Sequence, residues 1–161
     1  MPSVYIETSV VSYLTARPSA SLIAAAHQRI TRDWWDFHRS RFEQFISALV
    51  IDEASRGDRD AAARRLAALE DFSILEATQS AAELVDILIS EGALPAVARD
   101  DATHVAIAAV HGINYLVTWN CRHIDNAEIK PLLRSLCAVH GYVCPEICTP
   151  EELMGGFDNE R

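Results

Sequence analysis

With 161 residues, half of them hydrophobic, the chain suits one compact domain with a real core, and no second domain is expected. No apolar segment reaches the roughly 18 uncharged residues of a membrane span, and the sequence opens at once on a strand pattern, so a cytoplasmic protein with no membrane partner is expected. The formal net charge of −9 argues against broad, nonspecific attachment to nucleic acid but leaves room for a local basic groove.

Strand and helix patterns alternate along the chain, which favours a parallel sheet with helices on its faces. The first strand is expected over residues 3–7, after which Thr8 and Ser9 can cap a helix. A longer helical stretch over residues 19–38 carries Leu22, Ile23, Ala26, Ile30 and Trp34 at helical spacing, with Trp34 and Trp35 assigned to core or interface. Residues 42–47 read as the second strand, running into a helix with Val50 and Glu53 that Gly57 stops. Asp58 or Asp60 starts the next helix, and a short third strand follows over residues 72–75. Residues 80–90 are helical, with Thr78 and Ser80 as cap candidates, and Gly92 and Pro95 mark a turn. The helix after Pro95 holds Asp100, Asp101, His104, Ala106 and Ala108 and ends at Gly112. Residues 115–118 form the fourth strand, ending at Trp119 and Asn120; a helix over residues 126–139 and a last strand over residues 143–148 complete the pattern. The segment after Pro150 reads as a polar, frayed tail.

Open α/β sheets place their chemistry at the carboxyl ends of the strands, where strand order reverses. Right-handed connections allow strands one and four to lie side by side there, bringing Glu7 and Asn120 together. Helices that start near the same rim supply Glu53 and Asp101. Three carboxylates and one amide are an oxygen-only donor set, which suits magnesium or manganese rather than zinc. Without metal, three close carboxylates are expected to repel one another and to rise in pKa, so the ion would also stabilise the fold. Such an ion can activate water and shield a phosphodiester oxygen, making phosphodiester hydrolysis the expected chemistry.

Each station also has a plainer explanation. Glu7 can cap the following helix, since acids favour helix N-termini, and Glu53 alone is an ordinary solvated helical residue. Asp100 competes with Asp101, the two facing directions about 100° apart on a helix, and the Asp101-Ala102-Thr103-His104 pattern selects Asp101. Asn120 stands at a strand-to-loop junction, where asparagine serves turn geometry. Thr8, Ser9 and Thr118 can orient carboxylates through their hydroxyls or merely cap. His104, one turn after Asp101, can act as a supporting donor, although a hydrogen-bonded structural role is the better reading.

Thirteen of the fourteen basic residues are arginine, Lys130 being the exception, and arginine is the better fork for phosphate. Arg17, Arg56, Arg99 and Arg122 fall near the expected rim and are candidate contacts to the phosphates of a substrate. Cys121, Cys137, Cys144 and Cys148 are expected as reduced thiols. Cys137, His140, Cys144 and Cys148 have spacings that resemble a zinc site, but a helix, a glycine turn and a strand would have to converge on one point, and buried cysteine is an ordinary small hydrophobe.

Taken in order, Tyr5-Ile6-Glu7-Thr8-Ser9-Val10, Ser47-Ala48-Leu49-Val50-Ile51-Asp52-Glu53, Asp101-Ala102-Thr103-His104-Val105-Ala106-Ile107-Ala108, Leu116-Val117-Thr118-Trp119-Asn120 and Thr149-Pro150-Glu151-Glu152-Leu153 resemble the PIN-domain ribonucleases found as toxins of VapBC toxin–antitoxin pairs. The resemblance implies a three-layer α/β/α PIN-like fold with a five-stranded parallel sheet, a single domain over residues 1–150 and a polar tail over 151–161. It also implies an Mg2+- or Mn2+-dependent endoribonuclease, a homodimer, and neutralisation by a small antitoxin protein.

Two departures from the family pattern bear on the site. Glu7 stands where the family usually has aspartate, keeping the charge but moving the oxygens about one methylene outward. Asn120 replaces the usual fourth aspartate, which leaves three formal negative charges and an expectation of one well-held ion. The leading expectation is therefore RNA cleavage with Glu7, Glu53 and Asp101 holding the ion and Asn120 positioning water. A catalytically degenerate module that binds RNA or protein is the alternative. A magnesium phosphohydrolase acting on small phosphoesters is a third, without a glycine-rich phosphate loop to support it.

Overall fold

The computed structural model describes residues 1–155; residues 156–161, the end of the expected polar tail, lie outside the described residues. Strand β1 (Ser3–Ile6) is buried along its whole length, as a central strand covered on both faces must be. It leads into α1 (Thr8–Thr15) and α2 (Leu22–Phe37), then β2 (Glu43–Ser47), α3 (Ala48–Ala54), α4 (Arg59–Ala68) and β3 (Ser73–Leu75). The chain continues through α5 (Gln79–Ser90), α6 (Arg99–Val110), β4 (Tyr115–Val117), α7 (Lys130–Val139) and β5 (Glu146–Cys148).

The five strands form one parallel sheet in the order β3-β2-β1-β4-β5. From β1 to β3 the chain steps outward in one direction; it then crosses back over β1 to reach β4 and β5. With right-handed crossovers, that reversal puts α1–α4 on one face and α5–α7 on the other. The packing agrees, α1 lying against α2, α3 and α4, and α5 against α6 and α7, which completes the three-layer α/β/α arrangement. The reversal falls between β1 and β4, where Val4, Tyr5 and Ile6 pair with Tyr115, Leu116 and Val117.

The core lies on both sides of this sheet and includes Ile6, Ile46, Leu84, Leu88, Ile107, Leu116 and Leu133. The small side chains Ala102, Ala106 and Ala108 are fully buried, letting α6 approach closely. Trp34 is buried outright, while Trp35 stacks on Phe72 at 5.4 Å beneath the Arg39 guanidinium, 4.3 Å from its ring centroid. Among the described residues no helix is long and apolar enough to cross a membrane.

Several local expectations are corrected. Thr8 and Ser9 do not cap α1: Glu7 occupies the N-cap position without a side-chain cap bond, and both hydroxyls go to carboxylates instead. Asp58 and Thr78, rather than Asp60 and Ser80, supply the cap oxygens of α4 and α5. The helix expected from residue 126 begins at Lys130, because Asn126 folds the preceding segment into a turn by accepting from the Glu128 amide at 2.9 Å. Pro131 then fits the first helical turn, where an amide hydrogen has no partner to lose. Strand β5 is confined to three residues after Pro145, which has no amide hydrogen to donate to a ladder. The segment from Pro150, expected to fray, starts with an ordered 3-10 turn, Pro150–Leu153, closed by a reciprocal Thr149–Glu152 capping box. Arg41 Nη2 holds it by donating to the Leu153 carbonyl at 2.7 Å.

Candidate functional site

Glu7 extends the β1–β4 pairing by one residue, its amide donating to the Val117 carbonyl at 3.0 Å. That places its side chain at the carboxyl rim of the sheet, at the point of strand reversal, yet it is only 5% exposed. Ser9 Oγ and Thr118 Oγ1 both donate to Glu7 Oε1, the latter at 2.6 Å. The two hydroxyls are themselves fixed from the β4 side: the Trp119 amide donates to Ser9 Oγ at 2.8 Å and the Asn120 amide to Thr118 Oγ1 at 2.9 Å. Ser9 and Thr118, expected as supporting residues, thus lock the Glu7 carboxylate to the seam between two central strands.

Glu53 comes from the opposite end of α3 from its cap. Ser47, the last residue of β2, accepts from the Val50 amide and so starts the helix that carries Glu53 toward the rim. Glu53 Oε1 accepts from Thr8 Oγ1 at 2.7 Å and pairs with His104 Nε2 at 2.6 Å. His104 is completely buried, and its other nitrogen, Nδ1, meets the Tyr5 hydroxyl at 2.6 Å. Tyr5 in turn bonds Ser47 Oγ at 2.7 Å. One continuous chain of hydrogen bonds therefore joins α6, β1, β2 and both ends of α3.

Electrostatics follow from that chain. Burial pulls the His104 imidazole down, but the bond to Glu53 and the charges of Glu7, Glu53 and Asp101 outweigh it and hold the group above its ordinary value. Burial also pushes Glu53 up, yet His104, Thr8 and Arg56 together bring its carboxyl below the usual carboxylate value. The upward shift expected from mutual carboxylate repulsion is thus reversed at Glu53, because the sequence reading did not count His104 as the counter-charge. Burial raises the Tyr5 phenol well above its ordinary value, so it stays neutral and serves as donor and acceptor within the relay.

Of the four expected stations, Glu7 and Glu53 are brought together with His104. Among the described residues, the carboxylate and imidazole groups offering atoms within 4.8 Å of one another are Glu7, Glu53 and His104. Asp101 lies one turn before His104 on the same side of α6, but its Oδ2 pairs with His123 Nδ1 at 3.0 Å. Asn120 follows its plainer reading as a turn residue. Its Oδ1 accepts from the backbone amides of Arg122 and His123 at 3.2 and 3.0 Å, so both lone pairs serve the loop after β4. Arg56 and Arg99 are paired with Asp52 and Asp86 at 2.5 and 2.7 Å, whereas Arg17 and Arg122 are exposed. His123, Tyr5 and Ser47 are the participants that sequence reasoning missed. No local spacing relates them to the acids, since each meets its partner across a gap of 22 or more positions.

Among the described residues, every side-chain hydrogen bond to Glu7 and Glu53 lands on Oε1, which leaves an Oε2 on each carboxylate to accept a further partner. Both His104 nitrogens are engaged, so the atoms on offer are oxygens. That donor set fits a hard divalent cation better than zinc. The cysteines take no part in it: Cys137 and Cys148 are buried, and burial pushes the Cys148 thiol up to about 12.

Neither the family models nor the curated proteins contain a match to this chain. Among solved structures, it is similar to a chain described as "Toxin-antitoxin complex from Klebsiella pneumoniae", with a TM-score of 0.55 and 22% identity over 75% of this chain and 89% of that one. At that identity the likeness speaks for the fold alone.

Proposed function

We propose that the protein is a metal-dependent endoribonuclease of the PIN type, acting as the toxin of a VapBC-type toxin–antitoxin pair. The observation that carries this reading is the Glu7–Glu53 pair: two carboxylates at the strand-reversal point, with ligand atoms within 4.8 Å and one oxygen of each uncommitted. Glu7 and Glu53 would hold Mg2+ or Mn2+, with Asp101, one turn before His104 on α6, adding the third negative charge. The bound ion would supply Lewis acidity toward a phosphodiester and activate water at neutral pH. Glu7 is oriented by Ser9 and Thr118, and Glu53 by Thr8 and His104, so the protein itself fixes the positions of both carboxylates before any substrate arrives. Attack by water would leave a 5′-phosphate and a 3′-hydroxyl. The Klebsiella pneumoniae chain of similar fold belongs to a toxin–antitoxin complex, which supports a small antitoxin as partner; a homodimer and cytoplasmic residence belong to the same proposal.

A second reading, a binding module that does not cut, is favoured by one observation. Asn120 supplies no charge and keeps its amide oxygen in the loop, so the site has at most three carboxylates. The deciding experiment is cleavage of a labelled single-stranded RNA panel with magnesium, manganese or EDTA, alongside Asp101→Asn and Glu7→Gln purified identically. Metal-dependent cutting that both variants lose supports the nuclease. Silence in wild type together with no metal binding by calorimetry leaves the binding module.

A further inference from the structure

We infer that the cavity beside Ser9 is a nucleotide subsite that seats one unpaired nucleotide of the RNA next to the Glu7–Glu53 pair, an inference that rests on the nuclease reading above. The cavity, of about 590 Å3, lies where α1 turns toward α2 and has the size of ordinary ligand pockets. Ser9 lines it and also donates to Glu7, so the cavity and the carboxylate site share a side chain.

The cavity is preformed by a buried glutamine. Gln28, 4% exposed, donates from Nε2 to the Arg17 carbonyl at 2.9 Å and accepts at Oε1 from the Ser19 amide at 3.1 Å, pinning the connection between the two helices. Tyr13 forms an aromatic wall, its ring meeting His27 at 5.3 Å and Trp119 at 6.1 Å edge-on. His27 stacks on Trp119 at 4.0 Å, and Trp119 is anchored by donating from Nε1 to Thr31 Oγ1 at 2.8 Å. Arg17, an exposed lining residue, has no ion-pair partner among the described residues, unlike Arg56 and Arg99.

Among the residues lining this mostly apolar cavity, Tyr13 carries a ring for a base, Ser12 a hydroxyl for a sugar and Arg17 a guanidinium for a phosphate. Unpaired bases are recognised by stacking on aromatic rings, and arginine holds phosphate. In a chain of net charge −9, an unpaired arginine beside a carboxylate site gives the local attraction that the rest of the surface withholds.

The test is fluorescence anisotropy of short labelled single-stranded RNAs binding the full chain in a non-cutting Asp101→Asn background, with Tyr13→Ala, Tyr13→Phe or Arg17→Gln added. Tyr13→Ala is expected to weaken binding about tenfold, and Tyr13→Phe, which keeps the ring and guards against a folding defect, by no more than about twofold. Arg17→Gln, on the exposed surface, is expected to lower the slope of log K against log salt by about 0.7. Unchanged affinity and salt slope in all three, or no binding of any probe, overturns the subsite. Parallel cleavage assays in the wild-type background separate the two readings. If Tyr13→Ala and Arg17→Gln cut with unaltered KM, the subsite falls alone; if binding changes as expected while the wild type never cuts, the subsite stands and the nuclease falls.

Discussion

The imidazole of His104 and the carboxylate of Glu53 meet at 2.6 Å between α6 and α3, linking the two outer layers across the carboxyl rim of the sheet. Because His104 also reaches Tyr5 and Tyr5 reaches Ser47, the contact that orients a site carboxylate is part of the framework that holds the layers together.

Removing the imidazole tests that coupling. His104→Ala takes from the Glu53 carboxylate and the buried Tyr5 hydroxyl one of their two partners each, leaving Thr8 and Ser47, and breaking a buried pair from one side costs about 3 kcal/mol. Urea unfolding of the metal-free variant should show that loss. A cost under about 1 kcal/mol would mean the relay is incidental to stability.

The relay also sets a pH window. His104 is raised above its ordinary 6.5, so its contribution is complete below that pH and disappears as pH climbs through the folded value. Glu53 is lowered from 4.5, so its contribution is present above that pH and disappears as pH falls through the folded value. The stability difference between wild type and His104→Asn in EDTA should therefore be greatest between 4.5 and 6.5 and shrink on both sides. A difference that is flat across this range would refute the ion pair.

Thr118 is fully buried, donates to Glu7 and accepts from the Asn120 amide. Thr118→Val keeps the shape and removes both bonds, which should cost about 2 kcal/mol and weaken any divalent-cation binding. Thr118→Ser retains the oxygen and should recover most of each. Equal behaviour of the two variants in thermal unfolding and calorimetry would show that the hydroxyl does not position Glu7.

Divalent cation should stabilise the folded chain by mass action, about 2.7 kcal/mol at a hundredfold excess over Kd. Magnesium or manganese is expected to raise the melting temperature of wild type, with Glu7→Gln and Glu53→Gln losing most of the response. A response undiminished in both variants places the ion elsewhere.

Asn120 is expected to act through the loop. Asn120→Ala removes the acceptor for two backbone amides and should destabilise by about 1 kcal/mol, whereas Asn120→Asp keeps the acceptor and should leave stability within about 0.5 kcal/mol of wild type. Stronger metal binding in Asn120→Asp would show that this side chain can leave the loop for the site.

Local patterns carried much of this architecture. The alternation of strand and helix signals and the terminal positions of Gly57 and Gly112, both at positive φ, mark elements whose causes lie within a few residues. Helix starts were less legible where two candidate caps stood close together, as with Asp58 and Asp60, because the choice depends on where the first turn closes.

By itself, the amino-acid sequence determined the alternation of strands and helices that makes a parallel sheet, and it set Glu7 at the end of the first strand and Glu53 on the helix after the second; the strand order β3-β2-β1-β4-β5 is one that handedness allows and the structure selects. Only the tertiary structure decided which groups meet there. The partners of Glu53 lie 45 and 51 positions away, and those of Tyr5 lie 42 and 99 away, so their contacts depend on how each helix is set on the sheet. That placement drew His104 into the carboxylate pair, gave His123 to Asp101 and turned the amide oxygen of Asn120 toward its own loop. Hydrogen-bond demand is met over distances of about 3 Å in space, a constraint that spacing along a chain does not encode.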